Sequence, residues 1–95
     1  MRVAVLIPGL LRSYTNGAAR VELEIAPDSA GQVSLGGILA ALDARYRGLA
    51  FRVVDEQRAI RPHVRMFVNT IQARALDLPI PPDAEIMIVG ALSGG

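Results

Sequence analysis

The chain has 95 residues, a formal net charge of +1 and a hydrophobic share of 52%. That length makes one domain with a single modest core. The near-neutral charge argues against nucleic acid or acidic lipid as the main partner, and the slightly rich hydrophobic share leaves apolar surface for a protein.

All ten basic residues are arginine, lysine is absent, and there is no cysteine. The chain therefore has no disulfide, no thiolate nucleophile, no cysteine-based metal site and no ε-amino group to acylate. Redox chemistry leaves the compartment open, and the cytoplasm is the expected one. Arg2 followed by Val3 to Leu11 has the look of a signal peptide. Pro8-Gly9 interrupts it and no small-x-small cleavage site follows, so none is expected. No stretch is long enough to span a membrane, and no membrane partner is expected.

Val3, Val5 and Ile7 alternate with Arg2, Ala4 and Leu6, which predicts a first strand ended by Pro8-Gly9. Leu10 to Gly17 reads as a long hairpin connection, with Asn16-Gly17 as a turn of positive φ. Val21, Leu23 and Ile25 alternate with Arg20, Glu22 and Glu24 in a half-buried second strand, antiparallel to the first. Asp28 to Val33 is loop. Ser34 is a candidate N-cap, and Leu35, Ile38, Leu39, Leu42 and Tyr46 repeat at helical spacing, ending near Gly48 as a C′ residue. Gly36-Gly37 in the first turn reads as close backbone packing or simple tolerance.

Beyond the helix, an extended piece is expected at Phe51 to Val54, then a turn near Asp55-Glu56-Gln57. Val64 to Val68 alternates as a strand, Thr70 to Leu78 reads as a brief pairing and a helical turn, and Pro79 to Asp83 must be irregular. Glu85 to Val89 is the last strand. One helix on one face of a small mixed sheet is an α+β arrangement. The expected organisation is a domain over residues 1–90 and a flexible C-terminal tail over 91–95.

The last strand is apolar on both faces, because Met87 and Val89 alternate with Ile86 and Ile88. Such a strand belongs in the middle of a sheet. Its outer face, with Ala4, Leu6 and Phe67 as neighbours, is then an exposed apolar patch of the kind that binds partners. Phe67, Met87 and Val89, with Leu92 in the tail, are the candidate partner-binding residues. The tail ends in Gly94-Gly95, and two residues without a Cβ can carry the α-carboxylate into a channel that larger residues would block.

The remaining polar residues suggest no catalyst. His63 has no partner at a useful spacing, Asp55-Glu56 and Asp28 pair with nothing for acid/base work, and Asp77 and Asp83 read as turn residues. Arg61 and Arg65 read as a solvated strand edge, with pairing to acids on a partner as the sharper alternative. No phosphate-cradling glycine loop is present, so the chain is expected to bind no ATP, no cofactor and no metal, and not to be an enzyme.

Five stretches together carry a resemblance: Leu11-Arg12 with Thr15-Asn16-Gly17, Leu42 to Leu49, Ile60 to Asn69, Leu76 to Ile80 with Asp83 to Ile88, and Ser93-Gly94-Gly95. In that order they resemble the ubiquitin-like sulfur carriers of the MoaD/ThiS family, nearest the branch with CysO-type carriers. The resemblance covers nearly the whole chain and implies a β-grasp fold. It also implies that a ThiF/MoeB-like activating enzyme adenylates Gly95 with ATP, Gly94 giving access. A sulfur donor then converts the acyl-adenylate to a thiocarboxylate. An acceptor synthase, resembling cysteine synthase or the molybdopterin synthase large subunit, would take the sulfur. Cysteine, molybdopterin, thiamine, a thiolated tRNA base and a secondary metabolite are the implied destinations. The chain departs from the family pattern at Thr70-Ile71, at Asp83-Ala84, at Gly37, and at Gly90, where a proline is common.

A sulfur carrier activated at Gly95 is therefore the first expectation. A modifier joined through Gly95 to lysines of other proteins is the second, and a non-covalent interaction domain with an idle tail is the third.

Overall fold

The computed structural model describes residues 1–90. Eight elements follow in order: β1 (Arg2–Leu6), a 3-10 turn (Gly9–Leu11), β2 (Arg20–Glu24), α1 (Leu35–Arg45), α2 (Leu49–Val53), β3 (Val64–Val68), β4 (Ile71–Ala73) and β5 (Glu85–Gly90). The strands form one five-stranded sheet in the order β2-β1-β5-β3-β4. β1 runs antiparallel to β2 and parallel to β5, and β3 is antiparallel to both β5 and β4. The doubly apolar strand therefore lies at the centre, as its composition requires.

Alternation sorts each strand between the two faces. Val3, Val5, Val21, Leu23, Val64, Met66, Val68, Ile86 and Ile88 point inward and are buried. Against them α1 lays Leu35, Ile38, Leu39 and Leu42, all in the same buried cluster. This five-strand mixed sheet gripping one main helix is the β-grasp arrangement.

The turns follow local chemistry. Asn16 (φ 56°) and Gly17 (φ 88°) occupy the left-handed region in the first hairpin. The buried Thr15 closes that loop, its Oγ1 donating to the Ala18 carbonyl at 2.8 Å. Asn69 (φ 56°) turns β3 into β4 and ties the corner to β5, its Oδ1 accepting from the Glu85 N–H at 3.1 Å. Asp55 Oδ1 accepts from the N–H groups of Gln57 and Ala59, forming the turn expected there.

The start of α1 is capped twice. Ser34 Oγ accepts from the Gly37 N–H at 3.1 Å. The Leu78 and Leu76 carbonyls accept from Leu35 N–H (3.0 Å) and Gly36 N–H (2.8 Å), satisfying two donors that a helix start otherwise leaves orphaned. The two glycines thus differ. A Cβ on Gly36 would lie 3.0 Å from Arg58 Nη2 and 3.3 Å from the Leu76 oxygen, whereas one on Gly37 would meet only Ser34 Oγ at 3.4 Å. Close packing applies to Gly36 and tolerance to Gly37.

Three local expectations need correction. Phe51 to Val54 is not an extended piece: Leu49–Val53 is the helix α2. Gly48, at φ 92°, is not the C′ residue of α1, which ends at Arg45, but the N-cap of α2. The physical cause is Asp43, whose Oδ1 accepts from the N–H groups of Gly48 (3.0 Å) and Ala50 (3.2 Å) and so holds the first turn of α2. Leu49 and Val53, four apart and fully buried, then anchor one face. Between Ala73 and Pro79 the chain makes only an isolated turn at Leu76-Asp77, not a helical one. Its backbone is committed to capping α1.

Candidate functional site

The inward commitment of Ile86 and Ile88 forces Glu85, Met87 and Val89 onto the outer face of the sheet. Register places Leu6 of β1 on one side of Met87 and Phe67 of β3 on the other. Leu6, Met87 and Phe67 are half-buried because they cover one another, and Val89 is 38% exposed. Ala4, on the same face, is buried. The result is an apolar strip across three adjacent strands, with no helix of the described residues over it. Arg20 bounds it on one side, held to Glu85 at 3.1 Å and to Glu22 at 3.6 Å. Arg65 lies opposite Val89 on the other side.

The strip runs to Gly90, where β5 ends. An open groove there is lined by Leu6, Pro8, Leu10, Arg12, Met87 and Val89. On the other side of Gly90 lies a cleft of about 400 Å³ walled by Leu10, Phe51, Arg52, Arg61 and His63. Leu10 and Phe51, 50% and 52% exposed, extend the apolar surface around the end of the strand. Arg61 is not simply solvated: its Nε donates to the Phe51 carbonyl at 2.8 Å and its guanidinium sits 4.5 Å from the Phe51 ring centroid. Arg65 Nη1 donates to the Pro62 carbonyl at 2.9 Å.

Of the sequence candidates, Phe67, Met87 and Val89 lie together on this outer face. Leu92, Gly94 and Gly95 lie outside the described residues. Sequence reasoning missed Leu10, Phe51, Arg12 and Arg52. They come from a turn and a helix with no pattern that marks them as contact residues, and only the fold brings them to one end of the sheet. Among the described residues no three His, Asp or Glu side chains gather as a metal site, and no helix is long and apolar enough to cross a membrane. No buried side-chain polar atom among them lacks a hydrogen-bond partner.

No family model matches the chain. Two curated relatives, the sulfur carrier protein CysO of Mycobacterium tuberculosis and that of Mycobacterium bovis, are each 31% identical over an alignment of 100 residues spanning 100% of both chains. The crystal structure of M. tuberculosis CysO superposes with a TM-score of 0.79 at 25% identity, covering 95% of this chain and 99% of that one. CysO in the Amycolatopsis orientalis BexX/CysO complex gives 0.81 at 25% identity, over 98% and 99%. SAMP1 from Haloferax volcanii shares the fold, at 0.81 and 21% identity over the full length of both chains. An apolar strip leading to the end of the central strand, on a β-grasp chain aligned end to end with these carriers, leads to one assignment: the chain belongs to the CysO family of ubiquitin-like sulfur carrier proteins.

Proposed function

We propose that the chain carries sulfur as a thiocarboxylate at Gly95. The observation that supports this reading best is the end-to-end relationship with CysO sulfur carriers. Residues 1–90 act as the holder and 91–95 as the arm. A carboxylate is a poor electrophile, so its oxygen first attacks the α-phosphorus of ATP and expels pyrophosphate. Hydrosulfide from a sulfur donor then attacks the acyl carbon, and AMP leaves with the electron pair of the broken C–O bond. Gly95 is left as a thiocarboxylate, and an acceptor synthase draws the sulfur from it.

In this scheme the chain supplies the carboxylate and the docking face, while a ThiF/MoeB-like activating enzyme supplies the ATP site. Leu6, Phe67, Met87 and Val89 are the face that this enzyme grips. CysO of A. orientalis has been crystallised in complex with BexX, which supports a carrier of this kind docking on a protein partner. In this reading the reaction belongs to the cytoplasm, where ATP is supplied to such an enzyme. With no lysine or cysteine on the chain, the activated carbonyl meets no competing amine or thiol side chain of its own.

Intact mass spectrometry tests the proposal. Incubation with ATP, the activating enzyme encoded in the same genome and a sulfide source is expected to add about 16 Da, the exchange of oxygen for sulfur at an activated carboxylate. Removing Gly94 and Gly95 is expected to abolish the gain without moving the melting temperature. No gain on the intact chain, under conditions in which the enzyme releases pyrophosphate, would refute the thiocarboxylate reading. Covalent adducts on other proteins that require Gly95 would favour the modifier reading instead.

A further inference from the structure

The end of the molecule where β5 stops is cationic. Two clefts share Gly90 in their walls, and a third is walled by Val64, the register partner of Gly90. The charged side chains lining them are Arg12, Arg20, Arg52, Arg61, Arg65 and Arg74, and neither aspartate nor glutamate lines any of the three. Only Arg20 of these six forms an ion pair among the described residues. Four of the nine acids gather elsewhere. Glu22, Asp83 and Glu85 line a cleft with Arg2 and with Arg20, which belongs to both regions, and Glu24 pairs with the terminal amine and Arg2. Within an overall net charge of +1, the clefts at this end of the sheet are thus lined by arginines with no acid among them.

The arginines are also held in place. Arg12 Nε donates to the Ile7 carbonyl at 3.0 Å, Arg61 Nε to the Phe51 carbonyl at 2.8 Å and Arg65 Nη1 to the Pro62 carbonyl at 2.9 Å. Each anchored guanidinium retains donors for a further acceptor, and a pre-positioned fork loses less freedom on pairing with a carboxylate.

Covalent reach decides what meets this collar. Gly95 is five residues past Gly90, and a fully extended chain of that length spans at most about 18 Å. An enzyme acting on Gly95 must therefore lay its surface against this end of the sheet. We infer that the arginine collar around Gly90 recognises an acidic protein surface, formed by carboxylates ringing the channel in the partner that admits the tail. The inference rests on Gly95 being the reacting residue. The collar orients the approach and raises its rate, while the apolar strip supplies contact area, the usual division between charged rim and apolar centre.

The test uses the full chain and the charge reversals Arg52→Glu and Arg65→Glu, separately and together, at two exposed positions. Unchanged melting curves show that each variant is folded. The first measurement titrates the isotopically labelled chain with an oligoglutamate peptide and, separately, with an oligoribonucleotide of equal charge. Amide shifts around the collar with oligoglutamate, lost in the double variant, support the inference. No shift there, or preference for the ribonucleotide, overturns it.

The second measurement follows pyrophosphate release by the activating enzyme of the same genome. In the double variant KM for the carrier is expected to rise about tenfold with kcat unchanged, and the salt dependence of the wild type to flatten. An unchanged KM with an unchanged salt slope overturns the inference. If the wild-type chain supports no pyrophosphate release at all, the sulfur-carrier reading fails, and the peptide titration alone decides the collar.

Discussion

Introducing a charge at Met87 separates docking from folding. Met87 sits mid-strip between Leu6 and Phe67 on the central strand, half-buried. Full burial of such a side chain is worth about 1.5–3 kcal/mol, so Met87→Asp forfeits about 1 kcal/mol of that. The poor strand propensity of aspartate adds up to about 1 kcal/mol. The new carboxylate keeps its hydration on the open face, so no buried charge results. The sum of about 2 kcal/mol is below the 5–15 kcal/mol typical of a folded domain, so the variant stays folded at 25 °C. At about 4–8 °C per kcal/mol its melting temperature falls by about 10 °C or slightly more.

Docking is affected more severely. A central interface residue commonly carries about 2 kcal/mol or more, so KM for the carrier in the activating reaction should rise at least about 30-fold. Ile71→Asp is the control: Ile71 is 70% exposed at the edge strand β4, away from the strip, and its KM should not change. Circular dichroism melts and pyrophosphate-release kinetics on the three proteins give both quantities. A Met87→Asp chain that melts lower but keeps the wild-type KM would refute the assignment of the strip as the docking face.

Three further substitutions test the start of α1. Gly37→Ala should stabilise the chain by about 0.5–1 kcal/mol, because its Cβ meets only Ser34 Oγ at 3.4 Å. Gly36→Ala should lose that gain and melt below Gly37→Ala, since the Leu76 carbonyl 3.3 Å from the new Cβ is backbone already bonded to the Gly36 N–H. Ser34→Ala removes the side-chain cap and should cost about 1 kcal/mol, read as a melting temperature lower by about 4–8 °C.

Much of the fold is legible in the chain because its strands and main helix have clean periods. Val21, Leu23 and Ile25 alternate with charged residues, and Leu35, Ile38, Leu39 and Leu42 keep helical spacing, so each element announces its buried side. α2 carries no such signal. Leu49–Val53 is barely more than one turn, and Phe51 and Val53 favour strands when read alone. What makes it helical is a carboxylate six residues upstream of Leu49, Asp43, together with a left-handed Gly48. The strip was legible for the same reason as the strands, since Met87 and Val89 alternate with Ile86 and Ile88.

By itself, then, the sequence determined the alternation that makes β5 central, the cap that starts α1, and the resemblance that points to Gly95. The first two rest on neighbours within a few residues, where spacing alone dictates which side chains share a face, and the third on motifs that follow one another along nearly the whole chain. The tertiary structure alone decided which distant residues meet. The crossover that pairs β1 with β5 in parallel brings Arg12, Arg52 and Arg61 from a turn, a helix and a loop to the end where β5 stops. No local pattern encodes that gathering, because it arises only when the sheet closes over its core and aligns the strand ends.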